Sequence, residues 1–114
     1  MSLDMSSFGS AIASGRKKKG LSQKELAAKI TKEDGEAITP QYLNDIEHDR
    51  RKPSSDHLVK QFARVLSIDA EALYAVIGML PEQERKLVRK ATPDQVGQAF
   101  YAFRRSLGDK SGNK

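Results

Sequence analysis

LSQKELAAKITKEDGEAITPQYLNDIE, residues 21 to 47, decides how this chain folds. It holds two short helical patterns on either side of a polar turn. Ser22 and Glu25 have the spacing of a capping box, in which a hydroxyl and a carboxylate satisfy two backbone amides that a helix start leaves without partners. A helix is therefore predicted from Gln23. Leu26 and Ile30 lie on one face, with Ala27 beside them where a second helix can approach closely. Residues 31 to 37, TKEDGEA, are too polar and acidic for a core, and Gly35 marks a bend. Thr39 then suits an N-cap, and Pro40 suits the first helical position, where its missing N–H costs nothing. Leu43 and Ile46 point inward, leaving Gln41, Tyr42, Asn44 and Asp45 on the other side. Helices this short do not stand alone in water, so their outward residues are explained by what they touch.

Before this stretch, Phe8, Ala11 and Ile12 begin a helical stripe that runs into Arg16-Lys17-Lys18-Lys19 and stops at Gly20. The first seven residues are expected to be frayed. The basic run is a solvated helix end or a grip on an anion, and its place before the two-helix stretch favours the second reading. After the stretch come His48-Asp49-Arg50-Arg51-Lys52-Pro53, where Asp49 tolerates a left-handed turn and Pro53 prevents continuation. Ser54 is predicted to cap a helix carrying Leu58, Phe62, Val65 and Leu66. Asp69 is predicted to cap another with Leu73, Val76 and Ile77, ending near Gly78. Pro81 opens a further helix through Lys90, and Thr92-Pro93-Asp94-Gln95 forms a second capping box. Val96, Phe100, Phe103 and Leu107 then form an apolar stripe that must cover either its own domain or a second subunit. The tail from 108 to 114 is expected to be disordered.

These elements make an all-α protein of 114 residues, with a domain over 8–78 and a helical extension over 80–107. Strand-like alternation is absent. The chain has no cysteine, which excludes disulfides and thiolate metal sites. No apolar run approaches the roughly 18 residues of a membrane span, and no basic-then-apolar signal opens the chain. The expectation is a soluble, cytoplasmic protein with no membrane partner. The net charge of +5 favours polyanions and is concentrated at both ends. Residues 1 to 20 carry four basic and one acidic residue, and residues 81 to 114 carry eight and four.

No catalytic constellation, cofactor fingerprint or metal-ligand pattern emerges, and the chain is read as a non-enzyme. His48 and His57 stand nine apart with no carboxylates at ligand spacing. The outward set on the second short helix points to binding. A helix fits the major groove of double-stranded DNA, and Gln41 and Asn44 are the residue types that pair with adenine there. Tyr42 can stack on a sugar, touch a thymine methyl or bond a phosphate; Thr39 can do the last two. His48, at the helix end, is placed to meet a phosphate. The acidic turn would be repelled by DNA and is expected to face away from it or to fold back on basic neighbours.

At this point the pattern is similar to a known family. Arg16-x3-Gly20-Leu21-Ser22-Gln23-x2-Leu26-Ala27, then Ile38-Thr39-x3-Leu43-x2-Ile46-Glu47, then Arg50-Arg51-x-Pro53-Ser54, resembles the XRE family of helix-turn-helix regulators, which includes the phage repressors and Cro. The likeness covers about residues 8 to 77 and implies a five-helix, lambda-repressor-like domain whose third helix lies in the major groove. By that likeness Gln41, Tyr42, Asn44 and Asp45 would meet base edges. Gln23 would bond a phosphate, joined by Lys19, Ser22, Thr39 and His48, while Arg50, Arg51 and Lys52 would grip the backbone. Arg16 and Glu47 occupy places that pair across the first and third helices. The chain departs from the family in a longer turn before the third helix, in Pro40 where relatives often carry a base-reading side chain, in Gly15 where a large apolar residue is usual, and in Asp49 for the common glycine. The implied function is a sequence-specific transcriptional regulator, a repressor; the small area that one such module buries on DNA calls for a homodimer, for which the apolar stripe of Val96, Phe100, Phe103 and Leu107, outside the likeness, is the candidate interface. The alternative is an antitoxin or adaptor whose last helices engage a protein partner.

Overall fold

The computed structural model describes residues 3 to 108. Within them the chain forms seven helices: α1 (Phe8–Lys18), α2 (Gln23–Lys29), α3 (Pro40–Glu47), α4 (Asp56–Leu66), α5 (Ala70–Ile77), α6 (Glu82–Lys90) and α7 (Pro93–Ser106). The fold is all-α; among the described residues the only extended pairing is an isolated bridge between Thr31 and Ala37. The chain divides into two compact units, Met1–Met79 and Leu80–Lys114. The expectations for Met1, Ser2 and the tail beyond 108 lie outside the described residues.

Side-chain caps set the helix starts. The Ser22 hydroxyl accepts from the Glu25 amide at 3.0 Å while the Ser22 amide donates to the Glu25 carboxylate at 2.8 Å. Thr39 accepts from the Tyr42 amide at 3.0 Å, and Asp69 from the Glu71 amide at 2.9 Å. The cap of α4 is Ser55, which accepts from Leu58 N at 3.3 Å, and not Ser54. Starting one residue later makes Asp56 the first helical residue, where its carboxylate faces the positive helix end and accepts the Tyr74 hydroxyl at 2.6 Å. Pro81 likewise stands one place earlier than expected, as the N-cap of α6 rather than inside it.

The core of the first unit is built from Ile12 of α1, Leu26 of α2, Leu43 and Ile46 of α3, Leu58 and Phe62 of α4 and Leu73 of α5, all fully buried. Phe8 meets Phe62 edge-on, with ring centroids 6.0 Å apart. Two expectations are corrected here. Residues 3 to 7 are not frayed: Leu3 and Met5 pack against the core, and the Asp4 amide donates to the Ser14 hydroxyl at 2.9 Å. Gly15 leaves no void where a large side chain was expected, because a Cβ there would lie only 3.0 Å from Ile68 Cδ1 and 3.4 Å from Leu66 Cδ1. Those two side chains fill the space and bring the end of α4 against α1.

In the second unit α7 starts with the predicted capping box, Thr92 accepting from Gln95 N at 3.2 Å and its amide donating back at 2.9 Å. Neither α6 nor α7 buries a residue fully. Val96 is half-buried, Phe100 and Phe103 pack edge-on at 6.3 Å, and Phe103 and Leu107 remain 52% and 74% exposed.

Candidate nucleic-acid interface

The longer turn between α2 and α3 is closed at its base. Ile30 and Ile38 are both buried, and the Ile38 amide donates to the Ile30 carbonyl at 2.9 Å. Further out, Lys32 N bonds Glu36 O at 2.8 Å and Gly35 N bonds Lys32 O at 2.9 Å, with Gly35 at φ +90° where a side chain would be strained. Helix α4 holds the base from the side. The Gln61 carbonyl accepts from both the amide and the hydroxyl of Thr31 at 3.2 Å, and His57 Nε2 lies 3.0 Å from the Thr31 carbonyl. The added residues therefore form an excursion whose two ends stay side by side, so α3 still follows α2 directly in space.

Helix α3 is fixed from behind by polar as well as apolar contacts. Arg16 grips Glu47 with two parallel bonds, Nε to Oε2 at 2.6 Å and Nη2 to Oε1 at 3.1 Å, and its remaining nitrogen donates to the Leu21 carbonyl at 2.9 Å. The two side chains are only 13% and 4% exposed. Gln23 Nε2 donates to Glu47 Oε1 at 2.9 Å and to Asn44 Oδ1 at 3.1 Å. One further contact was invisible in the sequence. At Gly9 an added Cβ would sit 2.5 Å from the Ile46 carbonyl and 2.6 Å from that of Glu47, so α1 meets the backbone of α3 with no room for a side chain. Asp49, in the left-handed conformation at φ +59°, accepts from the Gly9 amide at 2.8 Å and from the Ser7 hydroxyl at 2.7 Å. It ends α3 as expected and also caps α1.

The remaining candidate residues fall into three groups. Gln41, Asp45 and Arg50 form a surface cluster, with Gln41 Nε2 and Arg50 Nε both donating to Asp45 Oδ1 at 3.1 Å. Tyr42 is half-buried beneath the Arg51 guanidinium, 5.4 Å from its ring centre, and Lys52 is exposed. Ser22 and Thr39 use their hydroxyls as caps, and His48 Nδ1 lies 2.9 Å from the Asn44 carbonyl. Lys19 is the outlier: it donates to Ser67 at 2.9 Å and lines a concavity of about 470 Å³ with Leu21, Lys29, Arg64 and Val65. Among titratable groups here, the Glu25 carboxyl is held below the usual glutamate range, first by the Ser22 amide and then by its hydroxyl. Among the described residues no three His, Asp or Glu side chains gather to hold a cation, and no helix is long and apolar enough to cross a membrane.

Comparison with known proteins agrees with this geometry. The family model HTH_3, described as helix-turn-helix, matches residues 12–73. An uncharacterized HTH-type transcriptional regulator of Mycobacterium tuberculosis is 35% identical over 83 residues, covering 73% of this chain and 54% of the relative. A Yarrowia lipolytica protein provisionally named multi-protein-binding factor 1 is 47% identical over 62 residues, covering 54% of this chain and 36% of that protein. The chain thus spans about half, or less, of the curated relatives it matches. A solved structure titled SinR protein/SinI protein complex superposes with a TM-score of 0.50 at 27% identity, covering 87% of this chain and 98% of that one.

Proposed function

The chain belongs to the XRE family of helix-turn-helix DNA-binding proteins, and from that premise we propose that it is a sequence-specific transcriptional repressor that lays α3 in the major groove and binds a two-fold site as a homodimer. The observation that carries this reading is the clamp behind α3. Arg16, Glu47 and Gln23 hold the helix, Gln23 reaching Asn44 as well, while Gln41 and Asp45 lie further out beside Arg50. In this reading base edges are met by that outer set, and Arg51 and Lys52 neutralise phosphates. One module of this size buries only about 600–1,000 Å² on DNA, so specificity calls for two copies on half-sites about one helical turn apart. The exposed stripe of Phe100, Phe103 and Leu107 supplies a surface for that pairing.

The test is selection from random duplexes, followed by titration of the winner at several salt concentrations. A palindromic winner with a steep salt slope is the expected result, and Arg51→Ala should lower that slope by about one without changing base preference. A second reading is favoured by the same exposed stripe: an antitoxin or adaptor that engages a protein through α6 and α7. The structural relative titled as a complex of two different proteins is consistent with it. Folded protein that enriches no duplex would decide for that reading.

A further inference from the structure

Lys19, Lys29 and Arg64 come from three different helix ends and line one concavity of about 470 Å³. Lys19 caps the end of α1, Lys29 is the last residue of α2, and Arg64 lies in the last turn of α4. A cation at a helix C-terminus is explained singly by the helix dipole. The convergence of three is not, because like charges around one hollow repel each other. Among the described residues no carboxylate lines it. The Lys19 ammonium reaches across the fold to the neutral Ser67 hydroxyl at 2.9 Å. Glu25, one turn before Lys29, has its carboxylate on the Ser22 amide at 2.8 Å. The Arg64 guanidinium is exposed and has neither a hydrogen bond nor an ion pair among the described residues. Between the cations the lining is apolar, made of the half-buried Leu21 and Val65.

We infer that this concavity docks an acidic segment of a partner protein, with one apolar side chain seated on Leu21 and Val65 and carboxylates on either side of it meeting Lys19, Lys29 and Arg64. The charge calls for an anionic partner, since a hollow lined by one sign of charge concentrates the field within it. The floor decides the kind of anion. Phosphates are held by backbone amides at helix N-termini, whereas here three helices present their C-terminal ends, whose partial charge is negative. Positive charge is therefore available only at the tips of long side chains around the rim. A fitting partner places its acids at the rim and an uncharged group over the floor. A peptide with an apolar residue between acids does this, and a phosphodiester backbone does not. No lining residue belongs to α3 or to the run Arg50, Arg51 and Lys52, so the inference does not rest on the DNA-binding reading. It gives Lys19 a protein-facing role in place of the phosphate contact that resemblance implied.

The test is selection on the full chain from a display library of random ten-residue peptides, with the double variant Lys29→Gln, Arg64→Gln as the counter-selecting protein. Both replaced side chains are exposed and make no hydrogen bond among the described residues, so the variant should keep its fold, which circular dichroism checks. Winners should carry acids flanking one large apolar residue. In fluorescence anisotropy the best winner should bind the double variant about tenfold more weakly, as two exposed ion pairs allow, and should lose affinity as salt rises. Replacing its apolar residue by serine should weaken binding to the wild type about tenfold as well. In NMR of the 15N-labelled protein, the amides of residues 19–21, 29 and 64–67 should shift on adding the peptide, and those of residues 41–45 should stay. Winners without acids, equal binding to the double variant, or shifts confined to other residues overturn the inference. So does a DNA duplex of arbitrary sequence that displaces the peptide and shifts the same amides, since the concavity would then serve phosphates. A protein that binds the peptide as expected but selects no duplex leaves the inference standing and refutes the DNA-binding reading alone. One that selects a duplex and no peptide does the reverse.

Discussion

Replacing Glu47 by alanine removes the acceptor on which both Arg16 and Gln23 converge. Arg16 would keep its bond to the Leu21 carbonyl but lose both carboxylate bonds, leaving a cation 13% exposed with no counter-charge. Breaking one side of a buried pair costs about 3–5 kcal/mol, against about 0–1 kcal/mol for an exposed pair, and the 4% exposure of Glu47 places this one in the first class. A unit of this size has a total stability on the order of 4–12 kcal/mol, so the variant should sit near the edge of folding. The assay is urea unfolding followed by far-UV circular dichroism, with thermal melting alongside. At about 4–8 °C per kcal/mol, the midpoint should fall by at least about 12 °C. The double variant Arg16→Met, Glu47→Met, which leaves no charge behind, should regain most or all of the loss. A loss below about 1 kcal/mol in Glu47→Ala would refute the reasoning, because it would mean that water reaches the pair freely.

Gly9→Ala should destabilise by about 1–3 kcal/mol, since its Cβ would press on two α3 carbonyls that cannot give way. Gly15→Ala, whose Cβ meets only the side chains of Ile68 and Leu66 and gains about 1 kcal/mol of helix propensity, should stay within about 1 kcal/mol of wild type in the same urea series. Phe100→Glu with Phe103→Glu should lower the mass of the species in sedimentation equilibrium; an unchanged mass would remove α7 as the pairing surface. The Ser22–Glu25 capping box has a pH signature. Because the Glu25 carboxyl is depressed in the folded state, its contribution is full above the ordinary glutamate range and is lost as pH falls through the folded value. The difference between wild type and Glu25→Gln should therefore be constant above about pH 5 and shrink in more acid solution, read from urea midpoints against pH.

Most of the helix inventory was legible because it is written locally. A cap and its partner lie three residues apart, as in Ser22 with Glu25 and Thr92 with Gln95, and an apolar face repeats within two turns. The same locality explains the small errors at Ser54 and Pro81, where neighbouring residues offer equally good local starts and Tyr74, eighteen positions beyond Asp56, favours one of them for α4. The candidate site was legible as a set of positions and not as an arrangement. That Arg16 and Glu47 belong together came from resemblance; that Gln23 joins them, that Asn44 turns its carbonyl toward Gln23, and that Asp45 is already held by Gln41 and Arg50 came only with the fold.

The sequence by itself determined an all-α chain, the order of its helices and most of their starts, since periodicity and capping depend on neighbours along the backbone. Only the tertiary structure decided that the long turn closes on Ile30 and Ile38, that Gly9 brings α1 onto the carbonyls of α3, that Asp49 caps a helix forty residues earlier, and which polar atoms of α3 remain to be offered. Those facts depend on distances between segments far apart in sequence, and a buried polar atom takes whatever partner the packing brings within about 3 Å of it.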